Sequence, residues 1–280
     1  MDSALQAIIL LFRHFPKCEE GRVLNRLGRL FDDFKNADCA LITSDINRRY
    51  FTGMKSSAGV IAAFPEKSYL LIDFRYIEKA RAVVKDAEVI EMKRIFPQLM
   101  ELFNRHGAKT VAIESESMTV KELSGYKHFF RDINFDDSDA LSNAINSMRM
   151  IKDEEEIYCI KKAQEIAEKA FDELLKFIRA GVTEREIALE LNRLMFQYGA
   201  EDLSFDTIAL SGVNTSMPHG VPSDKIVENG EFVLLDFGAV WNGYHSDMTR
   251  TICVGEPSDE MRKVYDIVLE AQLAGLEAAR

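Results

Sequence analysis

Cysteine, proline and tryptophan are all scarce in this chain, whose 280 residues hold four, six and one of them. Cys18, Cys39, Cys159 and Cys253 stand far apart with no Cys-x-x-Cys pair. That argues against a disulfide framework or a zinc ribbon and suggests reduced thiols in a cytoplasmic protein. Positive charge is in deficit too: 35 Lys and Arg face 46 Asp and Glu, a formal net charge of -11. Such a balance argues against nucleic acid and against an anionic membrane surface, and favours a small-molecule, peptide or protein partner. Long apolar runs are also missing. The stretch Ala7-Ile8-Ile9-Leu10-Leu11-Phe12 is too short to span a bilayer. It lacks the positive charge that precedes a signal peptide's core, since Arg13-His14 comes after it. Residues 1–20 therefore read as a short amphipathic or unstructured extension, and no membrane partner is expected.

What remains is an ordinary soluble composition, 47% apolar and 29% charged, in a chain long enough for two domains. Over 21–147, helical and strand patterns alternate. Leu24, Leu27, Leu30, Phe31 and Phe34 recur at helical spacing before the short strand Cys39–Thr43. Val60–Phe64 and Tyr69–Ile72 flank Pro65-Glu66-Lys67-Ser68 as a buried hairpin, and Val89-Ile90 and Thr110–Ile113 add strands between helices. This predicts an α/β layered domain. Over 148–280 the pattern changes. Asp153 is placed as an N-cap, with Glu154, Glu155 and Glu156 at the positive end of a helix dipole. The apolar stripe Ile157, Ile160, Ala163, Ala167, Ala170, Leu174 and Ile178 then predicts a long helix stopped by Gly181. Thr183-x-x-Glu186 reads as a capping box for a second helix, buried through Ile187, Leu191, Leu194 and Tyr198 and ended by Gly199. Two long helices followed by an antiparallel sheet make an α+β domain.

The sheet carries the chemistry. Phe232-Val233-Leu234-Leu235-Asp236-Phe237-Gly238 leads into Trp241-Asn242-Gly243-Tyr244 and then His245-Ser246-Asp247-Met248-Thr249-Arg250-Thr251. A carboxylate in so apolar a strand costs several kcal/mol to desolvate unless a cation or strong donors hold it. Asn242-Gly243 predicts a two-residue hairpin turn, which pairs Trp241 with Tyr244 and Asp236 with Thr249. Residues 247 and 249 share a face, so Asp236 and Asp247 become diagonal neighbours with Cβ atoms about 7–8 Å apart or less. Taken singly, either aspartate serves equally as an N-cap, a turn former or half of an ion pair with Arg250. Two on one face of an apolar hairpin point to a metal site. A strand over Ser204–Ser211 precedes the loop Gly212-Val213-Asn214-Thr215-Ser216-Met217-Pro218-His219-Gly220. A lone loop histidine is usually a surface residue, but His219 lies between a strand end and the aspartate hairpin. His245 reads as a pocket residue or one that orients a ligand.

At these residues the chain resembles the creatinase, prolidase and aminopeptidase P group of pita-bread metallopeptidases. Asn47-Arg48-Arg49-Tyr50-Phe51-Thr52-Gly53 and Asp73-Phe74-Arg75-Tyr76 look like signatures of that group's N-terminal domain. Met150-Ile151-Lys152-Asp153-Glu154-Glu155-Glu156-Ile157 resembles the opening of its catalytic domain. Ser211-Gly212-x-Asn214-x-x-x-Pro218-His219, Asp236-Phe237-Gly238 and Asp247-Met248-Thr249-Arg250-Thr251 resemble its active-site blocks. The resemblance implies an α/β N-terminal domain plus an α+β pita-bread catalytic domain. It implies Asp236 and Asp247 as metal ligands, Asp247 bridging two divalent ions, and His219 as the histidine touching substrate near the scissile bond. The reaction implied is hydrolysis of Xaa-Pro bonds in dipeptides or at peptide N-termini. Manganese best suits the ligands, with cobalt or zinc also able to bind, and a homodimer is expected.

The resemblance further implies one more histidine and two glutamates, all beyond Arg280. Two aspartates alone leave two ions short of about six ligands each. The pita-bread domain is thus expected to be incomplete at its C-terminal end, to continue past Arg280, and to hydrolyse poorly as these 280 residues. Two rivals share the fold: a metal-free creatinase-type amidinohydrolase, against which both aspartates count, and a non-catalytic binding module.

Overall fold

The computed structural model describes residues 25–279, so the expected extension over 1–20, Cys18 and Leu24 lie outside the described residues. The chain divides into two compact units between Lys152 and Asp153.

In the first unit the helical stripe becomes α1 (Arg26–Asp33), with Asn25 accepting from the Gly28 N–H as its cap. Leu27, Leu30 and Phe34 are buried from it. Strands β1 (Cys39–Ile42), β2 (Val60–Ala63) and β3 (Ser68–Ile72) are buried at every position. They join β4 (Glu88–Glu91), β5 (Thr110–Ile113) and β6 (Asn134–Asp136) in a six-stranded sheet of order β4-β3-β2-β1-β5-β6. The expected hairpin is β2–β3, with Val60 opposite Leu71 and Ala63 opposite Ser68. The pairs β1–β5, β3–β4 and β5–β6 are parallel. Continuous burial follows because both sheet faces are covered. One face packs Ala40, Ile42, Ile61 and Leu70 against α1 and α6 (Ala140–Met150). The other packs Leu41, Ala62, Tyr69 and Val111 against α4 (Ile95–His106) and α5 (Val120–Phe129). Two shorter helices, α2 (Asp45–Thr52) and α3 (Ile77–Val83), complete this unit.

The second unit begins with α7 (Glu154–Leu174). Asp153 and Glu156 form a reciprocal capping box, so the acidic cluster is a helix start as expected. Two details differ from the periodicity. Ile157 is 42% exposed, while Glu156 and Cys159 are buried; Glu156 also accepts from the Tyr244 hydroxyl at 2.9 Å. The helix closes at Leu174 in a tight turn, not at Gly181, because the segment before the next helix pairs with 225–227 instead: Gly181 N–H donates to Val227 O and Val227 N–H to Val182 O. Helix α8 (Glu184–Gln197) starts in the expected Thr183/Glu186 capping box. Ile187, Leu191 and Leu194 are buried with Ala188 and Met195, whereas Tyr198 is 36% exposed. Two three-stranded antiparallel sheets follow. One is β8 (Ile208–Ser211), β9 (Glu231–Phe237) and β12 (Met248–Val254), ordered β12-β9-β8. The other is β7 (Asp202–Leu203), β10 (Ala239–Trp241) and β11 (Tyr244–His245), ordered β11-β10-β7. The expected strand Ser204–Ser211 is shorter than its pattern. Ser204 N–H donates to Gly238 O and Thr207 Oγ1 to Asn192 Oδ1, so 204–207 bind neighbours outside a ladder. The chain closes its described part with α9 (Asp259–Ala278).

Candidate metal centre

The hairpin forms at the predicted place. Asn242 and Gly243 have φ of 49° and 82°, the left-handed pair that a type I′ turn requires. Trp241 stands opposite Tyr244 and Val240 opposite His245. The ladder is interrupted around Gly238 and Asp247, where the two sheets part, and resumes with the same offset, Phe237 opposite Met248 and Asp236 opposite Thr249. The offset is the same on both sides of that gap, so the facing of the strand side chains follows from alternation.

Burial shows which face is which. Val233, Leu235, Phe237, Ala209 and Met248 pack beneath the sheet with Ile166, Ala170, Leu191 and Leu194 of α7 and α8. Asp236 alternates with these residues and stands on the opposite, open face of the central strand, between Ile208 and Thr249. Asp247, two residues before Thr249, returns to that face and is exposed. The two aspartates are thus diagonal neighbours, as the turn position implied. Their satisfaction is sparse. Asp236 Oδ1 accepts from Thr249 Oγ1 at 2.9 Å. Arg250 forms no ion pair with either; its guanidinium donates to Thr249 O at 2.8 Å.

The loop after β8 folds back over the same face. Residues Gly212–Ser216 make a 3-10 turn, and Gly220 N–H closes a second turn on Met217 O around Pro218 and His219. A Cβ added to Gly220 lies 2.6 Å from Leu210 Cδ1. Leu210 pairs with Leu234 and shares the face of Ile208 and Asp236. Only glycine permits so close a seat. His219, beside it, is exposed, as is His245 at the hairpin's tip.

Two oxygen-donor carboxylates on one open surface, without an internal cation, fit hard divalent ions. They supply part of a coordination sphere: among the described residues no group of three or more His, Cys, Asp or Glu is placed to hold a metal ion. Two contributors escaped the sequence reading. Thr249 orients Asp236, which the register alone could have suggested. Glu184 is 1% exposed and takes hydrogen bonds from both ends of the His219 loop; its place among first-turn acids disguised it.

The second unit, with two long helices beneath an antiparallel sheet and paired aspartates on its open face, thus follows a unit built on a covered six-stranded sheet. Residues 158–280 match metallopeptidase family M24, and residues 24–151 match the creatinase/prolidase N-terminal domain. The chain is 38% identical over 254 residues to the uncharacterized peptidase YqhT of Bacillus subtilis, spanning 90% of this chain and 71% of that one. It is 38% identical over 264 residues to the Xaa-Pro dipeptidase of Pyrococcus furiosus, spanning 91% and 72%. Among solved structures, an Xaa-Pro dipeptidase from Bacillus anthracis superposes with a TM-score of 0.83 at 38% identity, covering 89% of this chain and 70% of that one. The X-Pro aminopeptidase from Thermotoga maritima gives 0.82 at 38%, covering 88% and 70%. This chain belongs to metallopeptidase family M24. Among the described residues no helix is long and apolar enough to cross a membrane.

Proposed function

We propose that this protein is a metal-dependent Xaa-Pro peptidase whose ions are held in part by Asp236 and Asp247, with His219 contacting the substrate beside the scissile bond. The hairpin register carries this reading, because it sets both carboxylates on one open face with the His219 loop folded over it. When bound, divalent ions of this kind lower the pKa of a shared water and polarise the carbonyl it attacks. Asp236 serves as a ligand already oriented by the Thr249 hydroxyl. His219 donates a hydrogen bond where negative charge develops on the carbonyl oxygen. Hard carboxylates favour manganese, with cobalt or zinc as weaker fits to this donor set. The substrate is a proline-containing peptide, and the working state is a cytoplasmic homodimer. Two carboxylates give each ion far fewer than about six ligands, so these 280 residues bind manganese weakly and turn over slowly.

Calorimetric titration of manganese, paired with hydrolysis of an Xaa-Pro and an Xaa-Ala dipeptide, tests the reading. Binding that disappears in Asp236→Ala and Asp247→Ala, with any turnover confined to the proline substrate, is the expected result. Unchanged manganese binding in both variants would overturn it. Fast metal-independent hydrolysis would favour a different chemistry.

A further inference from the structure

A helix-start glutamate normally faces solvent and bonds within its own first turn. Glu184, the first residue of α8, does neither: it is 1% exposed, and its carboxylate partners lie 27 to 39 residues away. Oε1 accepts from the Ser211 N–H at 2.6 Å, from Ser211 Oγ at 3.2 Å and from Asn214 Nδ2 at 3.0 Å. Oε2 accepts from the Ser223 N–H at 3.1 Å and from Ser223 Oγ at 2.6 Å. Ser211 precedes the His219 loop, Asn214 lies within it and Ser223 follows it. One oxygen therefore holds the way in and the other the way out. The helix backbone adds to the exit side, with Glu184 N–H donating to Lys225 O and Arg185 N–H to Ser223 O. Lys225 Nζ bridges Ser211 Oγ at 3.0 Å and Glu231 Oε2 at 2.7 Å, bracing the same junction from outside. Burial pushes the Glu184 carboxyl up, yet the donors from Ser223, Ser211 and Asn214 outweigh it and hold it below the usual value.

The carboxylate is thus ionised, buried and satisfied by neutral donors alone, with no arginine or lysine ion pair of its own among the described residues. Shape alone does not call for a charge here, since an apolar residue of this size would fill the space. Five converging donors do call for one, because each left unmet in a buried place is costly. We propose that Glu184 is the positioning residue of the His219 loop, clamping both its ends so that His219 is presented over the Asp236 and Asp247 face. The inference rests on the reading of His219 as the residue that meets the substrate.

Glu184→Gln keeps the shape but aims an NH2 group at one set of donors. Hydrogen exchange followed by mass spectrometry on the full chain reads the consequence. The amides of 212–222 are expected to exchange at least tenfold faster, while 231–254 and 187–197 keep wild-type rates. Ser223→Ala moves the same amides in the same direction by a smaller factor, and serves if Glu184→Gln fails to fold. The His219 ring signals in nuclear magnetic resonance shift towards those of a histidine in a short peptide, which a general loss of stability would not single out. Wild-type exchange over 212–222, or equal acceleration throughout the second unit, overturns the proposal. His219→Ala separates the two readings. If it hydrolyses Xaa-Pro substrate like wild type, His219 loses its role but Glu184 still clamps the loop. Unaltered exchange in Glu184→Gln removes the clamp and leaves His219 untouched.

Discussion

Replacing Gly238 by alanine strikes the joint between the two halves of the hairpin. A Cβ built there lies 1.9 Å from Ser246 O and 2.8 Å from Ser246 C, both backbone atoms. Real Cβ contacts stay beyond 3.0 Å, so about 1 Å must be recovered by moving one strand against the other. Three hydrogen bonds resist that motion: Ser246 N–H to Ala239 O at 2.9 Å, Ala239 N–H to Ser246 Oγ at 3.0 Å, and Ser204 N–H to Gly238 O at 2.9 Å. Overpacking of this kind costs about 1–3 kcal/mol, and each weakened hydrogen bond adds about 1 kcal/mol. A loss of about 3 kcal/mol or more follows, against a whole-domain stability of about 5–15 kcal/mol. The melting midpoint of the second unit should fall by roughly 10 °C. Gly125→Ala is the control, because it sits in α5 with nothing within 4 Å of its added Cβ. That change should stabilise the first unit by about 0.5–1 kcal/mol. Urea unfolding followed by circular dichroism and by Trp241 fluorescence reads both. A Gly238→Ala protein within about 0.5 kcal/mol of wild type would mean the strands do not meet there, and the shared facing of Asp236 and Asp247 would lose its support.

Three further outcomes are expected. Thr249→Val removes the hydroxyl that donates to Asp236 Oδ1 at 2.9 Å and should weaken manganese binding about tenfold with little change in stability; calorimetry showing wild-type affinity would contradict it. Because the Glu184 carboxyl is held below its ordinary value, its contribution is fully present above about pH 4.3 and is lost as pH falls through the folded value. Glu184→Gln, which cannot titrate there, should therefore have a flatter urea midpoint than wild type between about pH 5 and pH 3. Leu235→Ala opens a cavity beneath Asp236, where Leu235 is 0% exposed; a loss of about 2–5 kcal/mol is expected by chemical denaturation.

What was legible in the sequence was local. The Asn242-Gly243 turn and the alternation around it set the register from Asp236 to Thr249 without knowledge of anything distant. The Asp153 N-cap and the Thr183-x-x-Glu186 capping box are likewise four-residue statements, and both formed. Errors arose where a segment's hydrogen bonds went elsewhere in the fold. Residues 204–207 carry strand-like side chains, yet Ser204 and Thr207 bind Gly238 and Asn192. Ile157 continues the apolar stripe of α7, but Glu156 and Cys159 take the buried positions beside the hairpin's Tyr244 and Asn242. Nothing within α8 foretells that Glu184 turns towards Ser211, Asn214 and Ser223.

Asp236 and Glu184 both neighbour apolar residues, and the desolvation cost that singled out Asp236 applies with greater force to Glu184. Apolar flanks alone therefore do not distinguish a ligand from a structural acid. The accounting of acceptors does. Glu184 has five donors on two oxygens and no face left open, so its charge is already consumed in holding the loop. Asp236 has one hydroxyl on one oxygen and stands on an open surface, leaving lone pairs unclaimed on each. A carboxylate with oxygens so little engaged retains capacity for an external cation, and the neighbouring Asp247 doubles it. The same test predicts the consequences of removing each group: without Glu184 the loop loses order before the sheet does, and without Asp236 the sheet keeps its order while cation affinity goes.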